Sequence, residues 1–207
     1  MSAQLTNSKI SANDSAAYSF INSVESNWKG HLSFVFWLVK YLKPKIVMDL
    51  GFDRGLSTIA FGFKNKGKVF GIDWFDKGDY IEKCFALDSA SRNISNAIRF
   101  HYIKNVHLTI GPFEEVLKKW KANIDILHID GAFTYDAIKY YYESWIPYLN
   151  QNGVVLIHGI ESFPNEVGRF FKEIKLFKTI LTKEKGLAIA SKDHALIKKI
   201  TEAFDVV

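Results

Sequence analysis

The sequence contains a single cysteine, Cys84, so no disulfide can form within the chain. No apolar run approaches the roughly 20 residues that cross a bilayer. The start, residues 1–13, is polar and lacks the apolar stretch of a secretory signal peptide. These features predict an intracellular, cytoplasmic protein that has no membrane span.

Nucleic-acid-binding motifs, internal repeats and low-complexity tracts are also lacking. The net charge is +5, but the lysines are scattered over turns and helix ends, which is typical of a solvated surface. The 207 residues are 48% hydrophobic, enough for one globular domain with a sizeable core. We predict a polar lead-in over residues 1–24, loose at least to residue 17, and one folded domain over residues 25–207.

Short runs rich in apolar and β-branched residues alternate with helical patterns along the predicted domain. Five strands precede a closing hairpin, and all seven are predicted over 46–50, 69–73, 106–110, 124–130, 154–158, 177–182 and 187–190. Parallel strands joined by helical crossovers form a Rossmann-like three-layer α/β/α sandwich, to which the hairpin adds an antiparallel strand. Its ligand crevice is expected where the first and fourth strands end.

The first strand leads into the pattern Asp49-x-Gly51-x-x-x-Gly55, followed by a helix that starts near Ser57. A strand, a tight loop and a helix N-terminus in this order place backbone N–H groups beside the crevice. A dinucleotide-binding loop has the pattern G-x-G-x-x-G, which these residues do not supply in register.

Asp73 closes the second strand, beside the predicted loop. An acid at this place can accept both hydroxyls of a ribose, and Trp74 can pack on the ribose or the adenine of a nucleoside. An ordinary helix or turn cap is the alternative for Asp73.

Asp130 and His158 end two adjacent central strands, so both side chains are expected to face the crevice. Either can remove a proton from a hydroxyl nucleophile, and Asp130 is our first choice as the base. His128 lies inside its strand and is predicted to be a core histidine. His31 precedes an apolar helix, which by itself indicates a cap.

The glycine pattern resembles the first motif of class I S-adenosylmethionine-dependent methyltransferases. The resemblance implies that S-adenosyl-L-methionine is the cofactor. We predict cofactor contacts from three segments and from Asp130; their residues are Asp49, Gly51, Asp53, Gly55 and Ser57, then Asp73 and Trp74, then Gly111, Pro112 and Phe113. Asp49 would anchor the amino group, directly or through water, and residues 111–113 would cradle the adenine. A core position is the alternative for Phe113.

Several longer segments narrow the resemblance; they are residues 28–34, 127–135, 145–149 and 153–158. They resemble small methyltransferase domains found with glycosyltransferases in glycan-assembly proteins, relatives of antibiotic-tailoring sugar O-methyltransferases. The resemblance covers residues 25 to 190 and implies a sugar or glycan acceptor, such as the deoxysugar rhamnose, and a glycosyltransferase partner. We predict His31, Asp79 and Tyr135 as substrate-binding residues.

Two positions depart from that group: Phe133 stands where it has histidine, and Gly159 where it has an acid. A magnesium or manganese ion would therefore depend on Asp130 and Glu161, with Asp79 as a further ligand, whereas hard cations require several oxygens at once. Three alternatives stay open: a metal-dependent, catechol-type O-methyltransferase, a non-catalytic cofactor-binding domain, and a nicotinamide-dependent oxidoreductase.

Overall fold

The computed structural model describes residues 12–75, 79–131 and 133–207. The strands are β1 (Ile46–Leu50), β2 (Lys68–Asp73), β3 (Val106–Ile110), β4 (Ile124–Ile129), β5 (Leu149–His158), β6 (Phe177–Leu181) and β7 (Leu187–Ser191). The helices are α1 (Ala12–Ser23), α2 (Leu32–Leu42), α3 (Leu56–Gly62), α4 (Tyr80–Arg99), α5 (Phe113–Leu117), α6 (Tyr135–Trp145), α7 (Arg169–Glu173) and α8 (His194–Ala203). Short turns of 3₁₀ helix span Lys29–His31 and Ile146–Tyr148, and a π-helical turn spans Pro164–Gly168.

All seven strands join one sheet in the order β3-β2-β1-β4-β5-β7-β6. The first five strands pair in parallel, while β7 pairs antiparallel with both β5 and β6. The order reverses between β1 and β4, and the parallel strand ends there form the crevice of an open α/β sheet. The predicted Rossmann-like sandwich and its antiparallel hairpin are confirmed.

Alternate residues of each central strand enter two separate hydrophobic clusters, one on either face of the sheet. In β1, Val47 joins the cluster that packs against α1 to α4 and α8, whereas Met48 joins the cluster that packs against α5 to α7. The buried residues of β4 and β5 alternate between the same two clusters. Asp49, two residues after Val47, therefore faces the α2 and α3 side of the sheet.

The N-terminal region differs from the loose lead-in that the sequence suggested. Residues 12–23 form α1, and Ala17 and Ile21 are buried in the same cluster as Trp28. Their four-residue spacing gives the helix one apolar side, a pattern masked by its polar neighbours. Residues 1–11 lie outside the described residues, and the predicted boundary at residue 24 stays a prediction.

The last helix, α8, was not predicted. Asp193 caps it by accepting the backbone N–H groups of Ala195 and Leu196, and Leu196 and Ile200 are buried beneath it. The sequence does contain a signal for this helix, which is an acid at the cap position followed by apolar residues at helical spacing. Within the described ranges, no helix is both long and apolar enough to cross a membrane.

Candidate active site

Gly51 allows the loops that follow β1 and β4 to touch. Its φ is +92°, and a Cβ built on it would lie 2.7 Å from the backbone nitrogen of Gly131. The Gly51 N–H donates to the Ile72 carbonyl at 2.8 Å, and the Asp130 N–H donates to the Leu50 carbonyl at 2.8 Å. This glycine therefore brings the ends of β1, β2 and β4 together, a role of close approach between backbones.

Gly55 allows the start of α3 to pack closely against α4. It precedes α3 with φ of +91°, and a Cβ there would meet the side chain of Ile94 from α4 at 2.9 Å. The two glycines of the pattern thus have packing reasons of their own, and any contact with a cofactor comes in addition to them.

Asp49 lies below the crevice in the protein interior. Its side chain is completely buried, and Oδ2 accepts hydrogen bonds from the hydroxyls of Ser57, at 2.8 Å, and Thr58. The other oxygen, Oδ1, lies 2.7 Å from Nδ1 of His128. Asp49 was predicted to anchor the cofactor directly or through water. Its enclosure disfavours the direct contact, the contact through water stays a prediction, and the Ser57 hydroxyl is engaged in the same network.

His128 is a core histidine whose two ring nitrogens both have partners. The indole N–H of Trp28 donates to Nε2 at 3.2 Å, so Nε2 carries the lone pair and we assign the proton to Nδ1, which donates to Asp49. Trp28 and Thr58 complete this network, and neither was among the predicted site residues. Thr58 follows Ser57 directly, where a hydroxyl at the start of a helix meets the preceding strand.

Asp73 lies at the end of β2 and holds two loops. Its Oδ2 accepts the backbone N–H of Asp53 at 2.8 Å, and its Oδ1 accepts the backbone N–H of Phe75 at 2.8 Å. Asp53, exposed and with φ of +44°, thereby places the glycine loop against β2. Each carboxylate oxygen can accept a second hydrogen bond, so the group can cap the loops and still bind hydroxyls.

The remaining predicted cofactor residues divide into exposed and buried ones. Trp74 is 55% exposed beside the end of β2, and Gly111 and Pro112 are half-buried beyond β3. A Cβ on Gly111 would meet nothing within 4 Å, so there is open space beside its backbone. Phe113 is buried in the core against Gly131 and Tyr141, which favours its alternative assignment as a packing residue.

Asp130 and His158 form a pair at the ends of β4 and β5. Nδ1 of His158 lies 3.0 Å from Oδ1 of Asp130, and the two side chains are 6% and 17% exposed, respectively. The imidazole lies behind the carboxylate, and its Nε2 is buried without a hydrogen-bond partner among the described residues. We assign the proton to Nδ1, which donates to Asp130, and Asp130 is the more exposed of the two side chains.

His31 lies behind this pair, at the start of α2. Its ring packs edge-on against His158 with 5.4 Å between the centroids, and within the described residues neither of its nitrogens has a hydrogen-bond partner. The pKa of His31 is lowered to about 3, mainly by burial and in addition by the neighbouring imidazoles of His158 and His128. His31 is therefore a neutral, buried imidazole, and the structure places it out of direct reach of a substrate.

Two other predicted substrate residues are occupied by local structure. Asp79 caps α4, accepting the N–H of Glu82 at 2.9 Å while the Glu82 carboxylate accepts the Asp79 N–H at 3.0 Å. The Tyr135 hydroxyl donates to Glu173 at 2.7 Å, and this hydrogen bond raises the pKa of Tyr135. Arg169 lies 4.3 Å above the Tyr135 ring, which fixes α6 against α7.

Glu161, the second predicted metal ligand, lies on the loop after β5. Its backbone N–H donates to the Lys185 carbonyl at 2.9 Å, and its side chain lies against Gly186. In residues 12–75, 79–131 and 133–207, no three histidine, cysteine or acidic side chains gather as metal ligands. The residues present therefore do not fit a divalent ion held by Asp130 and Glu161.

Three comparisons with solved structures agree with this architecture. The O-methyltransferase TomG of Streptomyces achromogenes, solved with S-adenosylmethionine, has a TM-score of 0.60 and 16% identity over 90% of this chain and 92% of that one. The Bacillus cereus O-methyltransferase, solved with S-adenosylhomocysteine, has a TM-score of 0.61 and 16% identity over 90% and 92%. CalS11, a TDP-rhamnose 3′-O-methyltransferase of calicheamicin biosynthesis, has a TM-score of 0.61 and 15% identity over 90% and 88%. At these identities, the likeness establishes the fold.

Sequence comparison identifies the family. An uncharacterized Sinorhizobium fredii protein, y4gI, is 30% identical over 149 residues, which are 66% of this chain but 15% of that protein. The chain thus spans only a small part of that relative's length. Residues 48–160, more than half of the chain, match the family model described as a methyltransferase domain. That segment contains the glycine loop, Asp73 and the Asp130–His158 pair, and the chain belongs to this methyltransferase-domain family.

Proposed function

We propose that this chain transfers a methyl group from S-adenosyl-L-methionine to a hydroxyl oxygen of a sugar or glycan, with Asp130 as the proton acceptor. The observation that carries the proposal is the Asp130–His158 pair, which combines a partly exposed carboxylate with an imidazole held 3.0 Å away. The pair stands where β4 ends, in backbone contact with the glycine loop of a methyltransferase-family domain.

The residues around the crevice fit a nucleoside cofactor. Asp73 keeps hydrogen-bonding capacity for ribose hydroxyls while its oxygens hold Asp53 and Phe75. The open space beside Gly111 and the exposed indole of Trp74 suit a planar base. When bound, the cofactor supplies a methyl group already activated on a sulfonium. The TomG and Bacillus cereus structures, which share this fold and were solved with S-adenosylmethionine and S-adenosylhomocysteine, support the choice of cofactor.

Asp130 supplies the base that a sugar hydroxyl needs. Such a hydroxyl is a poor nucleophile at neutral pH, so removal of its proton as the new bond to oxygen forms lowers the barrier. The carboxylate accepts this proton, and the Nδ1–H of His158 holds the carboxylate in place. His158 is thus a positioning residue, because its own Nε2 is enclosed. Metal ligands are not required for these steps.

The proposal includes a sugar or glycan as the acceptor and a glycosyltransferase as the partner. CalS11, which has the same fold, acts on a TDP-linked deoxysugar, and this supports a sugar hydroxyl as the acceptor. The Sinorhizobium fredii relative is much longer than this chain, which supports a working arrangement with further domains, of which a glycosyltransferase is our choice. The cytoplasm stays the predicted location.

A direct test combines binding with transfer. Calorimetric titration of S-adenosylhomocysteine and of NAD separates a methyltransferase from an oxidoreductase, and we expect binding of the first compound alone. The protein is then incubated with S-adenosylmethionine labelled on its methyl group, together with nucleoside-diphosphate sugars, glycosides or catechol. Label appearing on a sugar supports the proposal. Label on catechol alone, or cofactor binding with no transfer to any sugar, refutes the sugar acceptor.

A further inference from the structure

Two phenylalanine rings stack beside the proposed base. The rings of Phe133 and Phe163 are nearly parallel, with 4.7 Å between centroids and 16° between planes. Phe133 is half-buried against the core, whereas 36% of Phe163 is exposed. Phe133 follows Asp130 by three residues, and the pair therefore lies where the β4 loop meets the loop after β5.

Gly159 determines where these rings lie. Its φ is +85°, and a Cβ on it would stand 3.3 Å from Cε1 of Phe133 and 3.4 Å from Cδ2 of Phe163. Gly159 directly follows His158, whose Nδ1 contacts Asp130 at 3.0 Å. The backbone next to the histidine thus supports both rings, which places the aromatic surface on the loops that follow Asp130 and His158.

The loop that carries Phe163 is held by backbone hydrogen bonds. The Phe163 N–H donates to the Gly159 carbonyl at 3.0 Å, and the Phe163 carbonyl accepts from Glu166 at 3.2 Å and Gly168 at 3.1 Å. The Gly159 N–H donates in turn to the Gly186 carbonyl at 2.9 Å. A ring on such a fixed loop loses little entropy when it contacts a ligand.

An exposed aromatic surface beside a reactive carboxylate has a definite chemical use. Ligand sites combine apolar, mostly aromatic walls with a few polar groups that fix orientation. The C–H face of a pyranose packs on the electron-rich face of an aromatic ring, and replacing a hydroxyl by hydrogen or a methyl group enlarges the apolar surface.

We propose that Phe133 and Phe163 form an acceptor platform that packs against the apolar face of a deoxysugar ring and directs one of its hydroxyls to Asp130. This inference rests on the proposed function for its acceptor class. Phe163 is the specificity-determining residue, because its ring is the more exposed one, and Phe133 supports it from the core side.

Saturation-transfer NMR on the protein loaded with S-adenosylhomocysteine tests the platform without requiring turnover. The probes are methyl α-L-rhamnopyranoside, methyl α-D-mannopyranoside and catechol. We expect the rhamnoside to bind, with the strongest saturation on its ring C–H and methyl protons, and to bind more tightly than the mannoside. Binding of catechol but of neither glycoside would overturn the proposal, as would the absence of binding by any probe.

Substitutions locate the effect. Phe163→Ala is expected to weaken rhamnoside affinity about tenfold and Phe163→Trp to retain it, while affinity for S-adenosylhomocysteine stays within twofold. Phe177→Ala, at a 49% exposed phenylalanine on β6, is the matched control and leaves both affinities unchanged. Equal rhamnoside affinity in wild type and Phe163→Ala would overturn the platform. Platform-dependent binding without methyl transfer supports the platform and refutes the proposed function, so the two failures are distinguishable.

Discussion

Among the described residues, two aspartate–histidine pairs lie on the same face of the sheet, and they differ in what surrounds them. Asp49 and His128 lie side by side on β1 and β4, 2.7 Å apart and completely buried. Asp130 and His158 lie at the strand ends, 3.0 Å apart, with the carboxylate partly exposed. The same two residue types therefore serve structure in one place and suit chemistry in the other.

Hydrogen-bond satisfaction explains the difference. In the inner pair, Asp49 with His128, both carboxylate oxygens and both ring nitrogens have partners and both side chains are completely buried, so the network stabilises the fold and is closed to a ligand. In the outer pair, Nε2 of His158 is left without a partner among the described residues, next to an equally unpartnered His31. Buried polar groups without a partner are uncommon in native proteins, and a bound water, an ion or a role in the site can account for them.

The largest effect is expected from Asp130→Asn. The amide keeps an oxygen that accepts from His158 but cannot take a proton, so kcat should fall by about 10² to 10⁴-fold, the usual contribution of a general base. Methyl transfer under single-turnover conditions measures this fall. Asp136→Asn, at an exposed acid in the first turn of α6, is the control and should keep full activity. Near-normal transfer by Asp130→Asn would remove Asp130 as the base.

Substitution in the inner pair is expected to lower the stability of the fold. Asp49→Ala leaves Ser57, Thr58 and His128 without their shared acceptor, and loss of one partner of a buried pair costs about 3–5 kcal/mol of unfolding free energy. Urea unfolding followed by circular dichroism measures this loss. Asp130→Ala, the matched change in the outer pair, should cost about 1 kcal/mol. Equal losses in the two variants would contradict the division between the pairs.

The sequence predicted the outer pair better than the inner one, for a reason of geometry. A residue that follows the last residue of a strand, such as Asp130, reaches the crevice whichever way the strand faces. Asp49 lies one residue before the end of β1, so its direction depends on strand parity and on what packs there, which is α3 with Ser57 and Thr58. The sequence pattern shows that an acid is present but not that α3 packs against it.

Most strands were predictable because they are short apolar runs closed by an acid, a glycine or a turn. The start of β5 was not: the strand begins at Leu149, five residues before the predicted start, where Leu149 pairs with Ile124 of β4. Local signals failed where long-range packing decides. The sequence of the first helix is mostly polar, and only the structure shows that Ala17 and Ile21 pack in the core. Asp79 was predicted as a site residue, whereas the structure shows that it forms a capping box with Glu82. The aromatic contact between Phe133 and Phe163 joins residues thirty positions apart and leaves no periodic trace in the sequence.

The surroundings of the outer pair can be tested by pH. His31 has a pKa of about 3 in the folded protein against an ordinary value of 6.5, mainly because it is buried. Between these values the unfolded chain binds the additional proton, so acid should remove about 1.4 kcal/mol of stability per pH unit below pH 6.5, and no loss from this group is expected above it. His31→Phe removes both the titration and two unpartnered nitrogens.

Urea unfolding of wild type and His31→Phe at pH 7, 6 and 5 isolates this contribution. The difference in unfolding free energy between the two proteins should shift in favour of the variant as the pH falls. A constant difference over that range would show that His31 is not held neutral by burial, and would weaken the contrast between the unsatisfied outer cluster and the satisfied inner one.

The smallest effect concerns Asp73, a third carboxylate at the crevice, which accepts the backbone N–H groups of Asp53 and Phe75. Asp73→Ala should weaken S-adenosylhomocysteine binding about tenfold, since a hydrogen bond to a charged group contributes about 1.5–3 kcal/mol. Asp73→Asn, which retains one carbonyl oxygen, should lose less, and calorimetry measures both. Because the same oxygens hold the glycine loop, hydrogen exchange at the Asp53 amide separates the two roles: faster exchange with unchanged affinity would make Asp73 a loop cap only.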